Sequence, residues 1–455
     1  MNGVLRPFTV LPWRWALHWL IAPCIVPIIF WPLGGPNMIR VFIAAGCLGI
    51  VCAQIPWPWL KRLAALALTG MVTFAFVLMT FNLDTSSSAQ LPLFLVESKW
   101  YGSGDYLLIL TLVSVGVYLA YNQAPTVPRF GRLWHWGLAA LMVTSLARFD
   151  YFASGAAHGN ISAAPDPAFA FHSAVGDSGL VSATGPGRNA PHNVIIVLAE
   201  SLGVPEFAQG QAMFAADWDR HEWRARYDVS HGQVDYFGST TFGELREICG
   251  EFGNYAAFDF SRADCLPGKM RKVGYQATAV HAFDGNFFQR DEWWPQLKFN
   301  REVFGEQLER AGARTCGGIF PGACDVDIPR QIGVMIKQSA KPQFVYWVTL
   351  NSHLPVLPEA TLGTQGCDSA DAPLASVSPR LCRLFVVHHN LADAISKMAM
   401  DPSLPPTDIL IVGDHMPPYF DRQLRSMFNP AQVPWILLRA RDLAPPLSPI
   451  RIAAR

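Results

Sequence analysis

With 455 residues the chain has room for two or three domains, and its 51% hydrophobic and 15% charged residues exclude a disordered or wholly water-exposed polypeptide. Its formal net charge is zero, which excludes the strongly basic surface of a nucleic-acid binder. The balance is uneven: residues 1–148 hold nine Lys and Arg against three Asp and Glu, a net of +6, leaving −6 for the remainder. Two parts of opposite bias predict two domains in different surroundings.

Apolar runs fill the first part. Bilayer-spanning helices need about 20 such residues, and the runs predict five spans: Trp15–Leu33, Val41–Ile55, Leu63–Phe81, Tyr106–Tyr121 and Trp134–Ala147. Pro23 and Pro27 predict a kink in the first, which has no small-residue cleavage site after it and so reads as an anchor. Arg6 and Arg14, Lys61 and Arg62, and Arg129 and Arg132 mark cytoplasmic loops, whereas 84–103 faces outward. Five spans place everything after Arg148 outside the cytoplasm. The expected division is a transmembrane domain at 1–148, a Gly/Ala/Ser/Pro-rich connector at 149–190 and an extracytoplasmic domain at 191–455.

Outside the cytoplasm, Cys249, Cys265, Cys316, Cys324, Cys367 and Cys382 form an even set in three sequence-near pairs, the pattern of disulfides. Strand-like runs at Asn193–Leu198, Tyr275–Val280, Phe344–Leu350 and Ile409–Val412 alternate with helical periodicity around Phe242–Cys249, Val303–Ala311, Ile328–Ser339 and Leu381–Met400. That alternation predicts an α/β domain with a mostly parallel sheet flanked by helices. Ligands gather at the carboxyl ends of such strands. Here those ends carry Glu200, His281, His353, and Asp414 with His415. One polar residue at a strand end is ordinary; two carboxylates and three imidazoles together predict a divalent metal site. Upstream of a helix, Thr241 and Glu244 have the spacing of a capping box, which leaves Thr240 free as a nucleophile at the positive helix end.

The segments NVIIVLAES, STTFGELREICG, HAFDGNFFQRD, VTLNSHLP and GDHMPP, in that order, resemble the alkaline phosphatase/sulfatase superfamily, and within it the membrane-anchored phosphoglycerol and phosphoethanolamine transferases. The resemblance spans roughly residues 191–420. It implies an alkaline phosphatase-like fold in a bacterial inner-membrane protein with a periplasmic catalytic domain. It also implies a divalent metal, Zn or Mn, held by Glu200, Thr240, Asp414 and His415, with Thr240 as the nucleophile and its neighbour Thr241 as the alternative. His353 would contact the transferred phosphate, and His281, Phe288 and Arg290 match an H-x(6)-F/W-x-R head-group motif. The implied reaction moves a phospholipid head group through a phosphothreonine to an extracytoplasmic glycan or glycolipid. NSHLP and GDHMPP favour phosphoglycerol, whereas the three cysteine pairs resemble the phosphoethanolamine branch.

Two alternatives stand beside this reading. Cys265-Leu266-Pro267-Gly268-Lys269 resembles a sulfatase C-x-P-x-R site, with Lys in place of Arg, and a catalytically inactive fold could serve as an envelope scaffold. Asp325, in a loop at Cys316–Asp327 that the motifs do not place, reads as structural, as do His388-His389 and Trp293-Trp294.

Overall fold

The computed structural model describes residues 12–32, 35–81, 96, 98–153, 172–180, 191–374 and 376–441. Most of the expected outward loop, most of the connector and the last 14 residues lie outside these.

In the N-terminal part, four long helices stand among the described residues: α1 (Ile39–Cys52), α2 (Pro58–Phe81), α3 (Gly104–Asn122) and α4 (Leu133–Ala153). Among the described residues, Pro58–Thr80 and Gly104–Thr126 are both long and apolar enough to cross a bilayer. The expected first span is instead broken into Trp13–Trp15, a π-type turn at Ala16–Ile21 and Ile25–Ile29. Pro27 donates no backbone hydrogen bond, and indole groups brace the fragments from the side. Trp15 Nε1 donates to the Gly49 carbonyl at 3.0 Å and Trp19 Nε1 to that of Ala124 at 3.3 Å. Buried Asp150 in α4 accepts from Trp31 Nε1 at 2.7 Å and from the Met38 amide at 2.8 Å, tying the loop before α1 to α4.

Among its described residues the C-terminal part has nine strands: β1 (Asn193–Ala199), β2 (Tyr227–Asp235), β3 (Gln276–His281), β4 (Arg301–Val303), β5 (Thr315–Cys316), β6 (Gly322–Ala323), β7 (Gln343–Val348), β8 (Thr407–Gly413) and β9 (Gln432–Ala440). Seven form one sheet in the order β2-β9-β8-β1-β7-β3-β4, and β5 pairs with β6 in a small hairpin. Only β9 runs against the others in the large sheet. The four strands read from sequence are adjacent at its centre, so their carboxyl ends share one edge.

Every residue of β1, β7 and β8 is buried, as expected of strands covered on both faces. Alternation sends Ile195 and Val197 into one core, beside Ile328, Ile332 and Ile336 of α7 (Ile328–Gln338). Val194 and Ile196 enter the other core, with Leu245 and Ile248 of α6 (Thr240–Cys249). Further helices are α5 (Ala208–Trp218) and α8 (Pro379–Ala399).

Three disulfides close between sequence neighbours: Cys249–Cys265, Cys316–Cys324 and Cys367–Cys382. The halves meet through the Arg380–Asp105 ion pair at 3.1 Å and through Arg422, which donates to the Trp31 carbonyl at 3.2 Å.

Candidate metal centre

The edge where β8, β1, β7 and β3 end gathers the candidate residues. Glu200 follows β1, Asp414 and His415 follow β8, and Thr240 opens α6. Thr240 Oγ1 lies 3.0 Å from Glu200 Oε2, 2.8 Å from Asp414 Oδ2 and 3.4 Å from His415 Nε2. Ligand atoms of Glu200, Asp414 and His415 all fall within 4.8 Å of one another.

Local backbone makes this convergence possible. Gly238, at φ +75°, turns the chain into α6 where a side chain would be strained and would strike the Phe242 ring. Gly413, the last residue of β8, lies so close to the Leu202 carbonyl that a Cβ would overlap it. Ser201, left-handed at φ 55°, joins two strand ends: its amide donates to Asp414 Oδ1 and its hydroxyl to Glu200 Oε1, both at 2.8 Å. Arg246 of α6, almost fully buried, donates to the Gly413 carbonyl at 2.7 Å. Glu200 is gripped from behind, its amide donating to Thr349 Oγ1 at 2.9 Å and its carbonyl accepting from Ser352 Oγ at 2.7 Å and His388 Nε2 at 3.1 Å.

The electrostatics ask for a cation. Burial alone would raise Glu200, yet the His353 and His415 imidazoles, with the Ser201 and Thr240 hydroxyls, bring it below the ordinary carboxylate value. Asp414 is pushed up to about 7, by burial first and by the Glu200 carboxylate second. Two carboxylates against one hydroxyl cannot both ionise comfortably without a compensating charge. Burial opposes protonation of His415, but Asp414 and Glu200 hold it above its usual value. Its Nδ1–H donates to the Met416 carbonyl at 2.9 Å, which leaves the Nε2 lone pair facing the cluster, the tautomer a metal ligand requires. Three carboxylate and hydroxyl side chains plus one imidazole suit Zn or Mn.

His353 and His281 complete the edge. His353 is held neutral-leaning by burial, and its Nδ1–H donates to the Leu354 carbonyl at 2.9 Å. Burial, then Arg290, places His281 far below its usual value; its Nδ1–H donates to the Val348 carbonyl at 3.1 Å while Nε2 faces Arg290 Nη1 at 3.4 Å. Phe288 and Gln289 are left-handed at φ 57° and 52°, an uncommon strain for two consecutive non-glycine residues, beside Arg290. The Arg290 guanidinium lies 5.5 Å from the Phe288 ring.

The capping box expected at Thr241 and Glu244 does not form. Glu244 is buried under Arg290 Nη2 at 2.7 Å and Trp294 Nε1 at 2.9 Å, while the Ser239 and Thr241 hydroxyls meet each other at 3.2 Å. An Arg–carboxylate pair away from water outcompetes a cap bond. The sulfatase-like alternative also fails on geometry, because Cys265 is consumed in its bridge to Cys249. His388, read as bland, is buried against Glu200, whereas His389 is on the surface with Asp217 at 2.6 Å. Ser201, Arg246, Thr349 and Ser352 carried no spacing that would have revealed them.

A cavity of about 660 Å³ opens over the cluster. It passes His353 and Phe420 and continues to Val77 and Thr80 of α2 and to Ile109 and Val113 of α3.

At the strand ends of this α/β sheet two carboxylates, an imidazole and a threonine converge in a group that could hold a metal ion. No family model matches the sequence, and no curated protein matches it. Solved structures do resemble it. A lipoteichoic acid synthase from Listeria monocytogenes is 16% identical at TM-score 0.42, covering 54% of this chain and 65% of its own. The integral membrane lipooligosaccharide phosphoethanolamine transferase A from Neisseria meningitidis is 14% identical at TM-score 0.46, covering 88% of this chain and 81% of its own. A phosphoglycerol transferase from Streptococcus pyogenes, solved with sn-glycerol-1-phosphate, is 14% identical at TM-score 0.38, covering 57% and 72%. The chain thus spans 65% of the length of the lipoteichoic acid synthase it matches. Identities this low, at TM-scores below 0.5, leave the functional reading to the geometry of the site itself.

Proposed function

We propose that this chain is a metal-dependent transferase of the alkaline phosphatase superfamily, anchored by five spans in a bacterial inner membrane with its catalytic domain outside. It would take a phospholipid head group, phosphoglycerol in preference to phosphoethanolamine, and pass it to a glycan or glycolipid. The observation that carries this reading is the single cavity joining the Thr240 cluster to the apolar helices α2 and α3, which fits a substrate with its phosphate at the cluster and its acyl chains toward the bilayer.

Glu200, Asp414, His415 and Thr240 would hold the cation. When bound, it would acidify the threonine hydroxyl and offset charge on the phosphate. Thr240 Oγ1 bonds to phosphorus as the bond to the diacylglycerol oxygen breaks, and the threonine proton leaves with diacylglycerol. An acceptor hydroxyl then takes the phosphoryl group from Thr240, and its proton restores the threonine. His353 lines the cavity where it would meet the nonbridging oxygens, and His281, Phe288 and Arg290 flank the head group. Tethering to the membrane keeps the donor at high local concentration.

Thr240→Ala should abolish transfer from phospholipid vesicles while the protein still folds and inserts into the membrane. Full turnover by that variant would remove the assignment.

A further inference from the structure

The loop from Cys316 to Asp327 has a place in the site that its sequence does not announce. The β5–β6 hairpin, closed by the Cys316–Cys324 disulfide, carries Phe320 edge-on against the His353 ring, with centroids 4.6 Å apart at 78°. The Ile319 carbonyl accepts from the Lys99 amide at 2.7 Å, so the segment leading into α3 touches the same loop. Immediately after the disulfide, Asp325 Oδ2 accepts from two consecutive amides, Leu350 at 2.8 Å and Asn351 at 2.6 Å. The Asp325 amide in turn donates to Asn351 Oδ1 at 2.7 Å. These bonds fix the turn after β7, the turn that grips Glu200 through Thr349 and Ser352 and supplies His353.

We propose that Asp325 is a positioning residue: it holds the turn 349–353 so that Glu200 and His353 face Thr240. This rests on the role given above to Glu200 and Thr240. Asp325 is 3% exposed, and its other oxygen, Oδ1, has no hydrogen-bond partner among the described residues. The side chain therefore serves the turn through one oxygen, and an asparagine amide oxygen can replace it there. Alanine leaves two buried amides without an acceptor, which the turn can satisfy only by moving toward water.

The test compares Asp325→Ala and Asp325→Asn in the full-length, membrane-inserted protein. In D325A, kcat for head-group transfer should fall by about 10²-fold, the usual cost of misplacing a group by about 1 Å. KM should stay near the wild-type value and one metal per chain should be retained. Hydrogen exchange should quicken at Leu350 and Asn351 and stay slow in β1 and β8. D325N should recover most of kcat and slow the exchange again. Wild-type kcat in D325A, or D325N as impaired as D325A, overturns the positioning role. Should D325A fail to insert, D325N decides alone: a kcat loss approaching that predicted for alanine overturns it. Thr240→Ala run in parallel separates the two ideas, since a fully active Thr240→Ala removes the catalytic reading whatever Asp325 does.

Discussion

At the residue scale, the buried ion pair of Arg290 and Glu244 is the most exacting commitment, with side chains 3% and 1% exposed. Arg290→Met would strand the Glu244 carboxylate beside Trp294 and Tyr346, and breaking such a pair costs about 3–5 kcal/mol. A clear drop in melting temperature is expected, and Glu244→Gln in the same chain should restore part of it. Asp325 makes a pH prediction. Burial raises its folded value to about 7 although the Leu350 and Asn351 amides pull it back, while an unfolded aspartate titrates near about 4. The stability it contributes is present in full below about pH 4 and is lost as pH rises through about 7. Denaturant midpoints of D325N should show a weaker decline over that window than wild type. Metal loss is the third outcome: Asp414→Asn should lose stoichiometric zinc or manganese by elemental analysis, with the fold intact by circular dichroism. Glu200, Thr240, Asp414 and His415 were legible in the sequence because each stands directly beyond an apolar strand or before a helix. Ser201, His388 and Arg246 were not, since each acts on a backbone atom or carboxylate that only folding brings near.

At the element scale, β1, β3, β7 and β8 were readable because strands buried on both faces are unbroken apolar runs. Their ends moved by one or two residues; β7 stops at Val348, before the expected Leu350, because the next residues turn to grip Glu200 and Asp325. β2 and β9 escaped notice for opposite reasons. β2 is a largely polar edge strand, YDVSHGQVD, and β9 holds Pro434, a residue that argues against a central strand. The proline sits opposite Gln233 near one end of the pairing, where a missing amide hydrogen bond is tolerated. The first apolar run shows the same limit: its length is plain in the sequence, but its division at 22–24 goes with the indole bonds to Gly49 and Ala124.

At the scale of the whole molecule, one cavity crosses the boundary between the two halves, and the Arg380–Asp105 pair and the Lys99–Ile319 bond hold that boundary together. Neither the cavity nor the junction is written in local spacing, because the cavity sets Val113 beside Glu200 and Thr240, and the junction joins Asp105 to Arg380 and Lys99 to Ile319. The geometry gives a direct expectation for α3. Ile109→Asp puts a charge in the apolar stretch of the cavity, and transfer from long-chain vesicle lipid should fall by about tenfold or more, as a lost apolar contact plus a desolvated charge would cost. A short-chain, water-soluble donor should be affected far less; equal losses on both would mean that acyl chains do not lie against α3.

The most direct measurement is peptide mass spectrometry of the full-length protein after incubation with mixed phosphatidylglycerol and phosphatidylethanolamine and no acceptor. A phosphoglycerol adduct on Thr240, absent when the metal is chelated, is the expected result, and a phosphoethanolamine adduct there would correct only the head group. Turnover of donor with Thr240 unmodified, or an adduct on a different side chain, would contradict the reading that Thr240 carries the phosphoryl group.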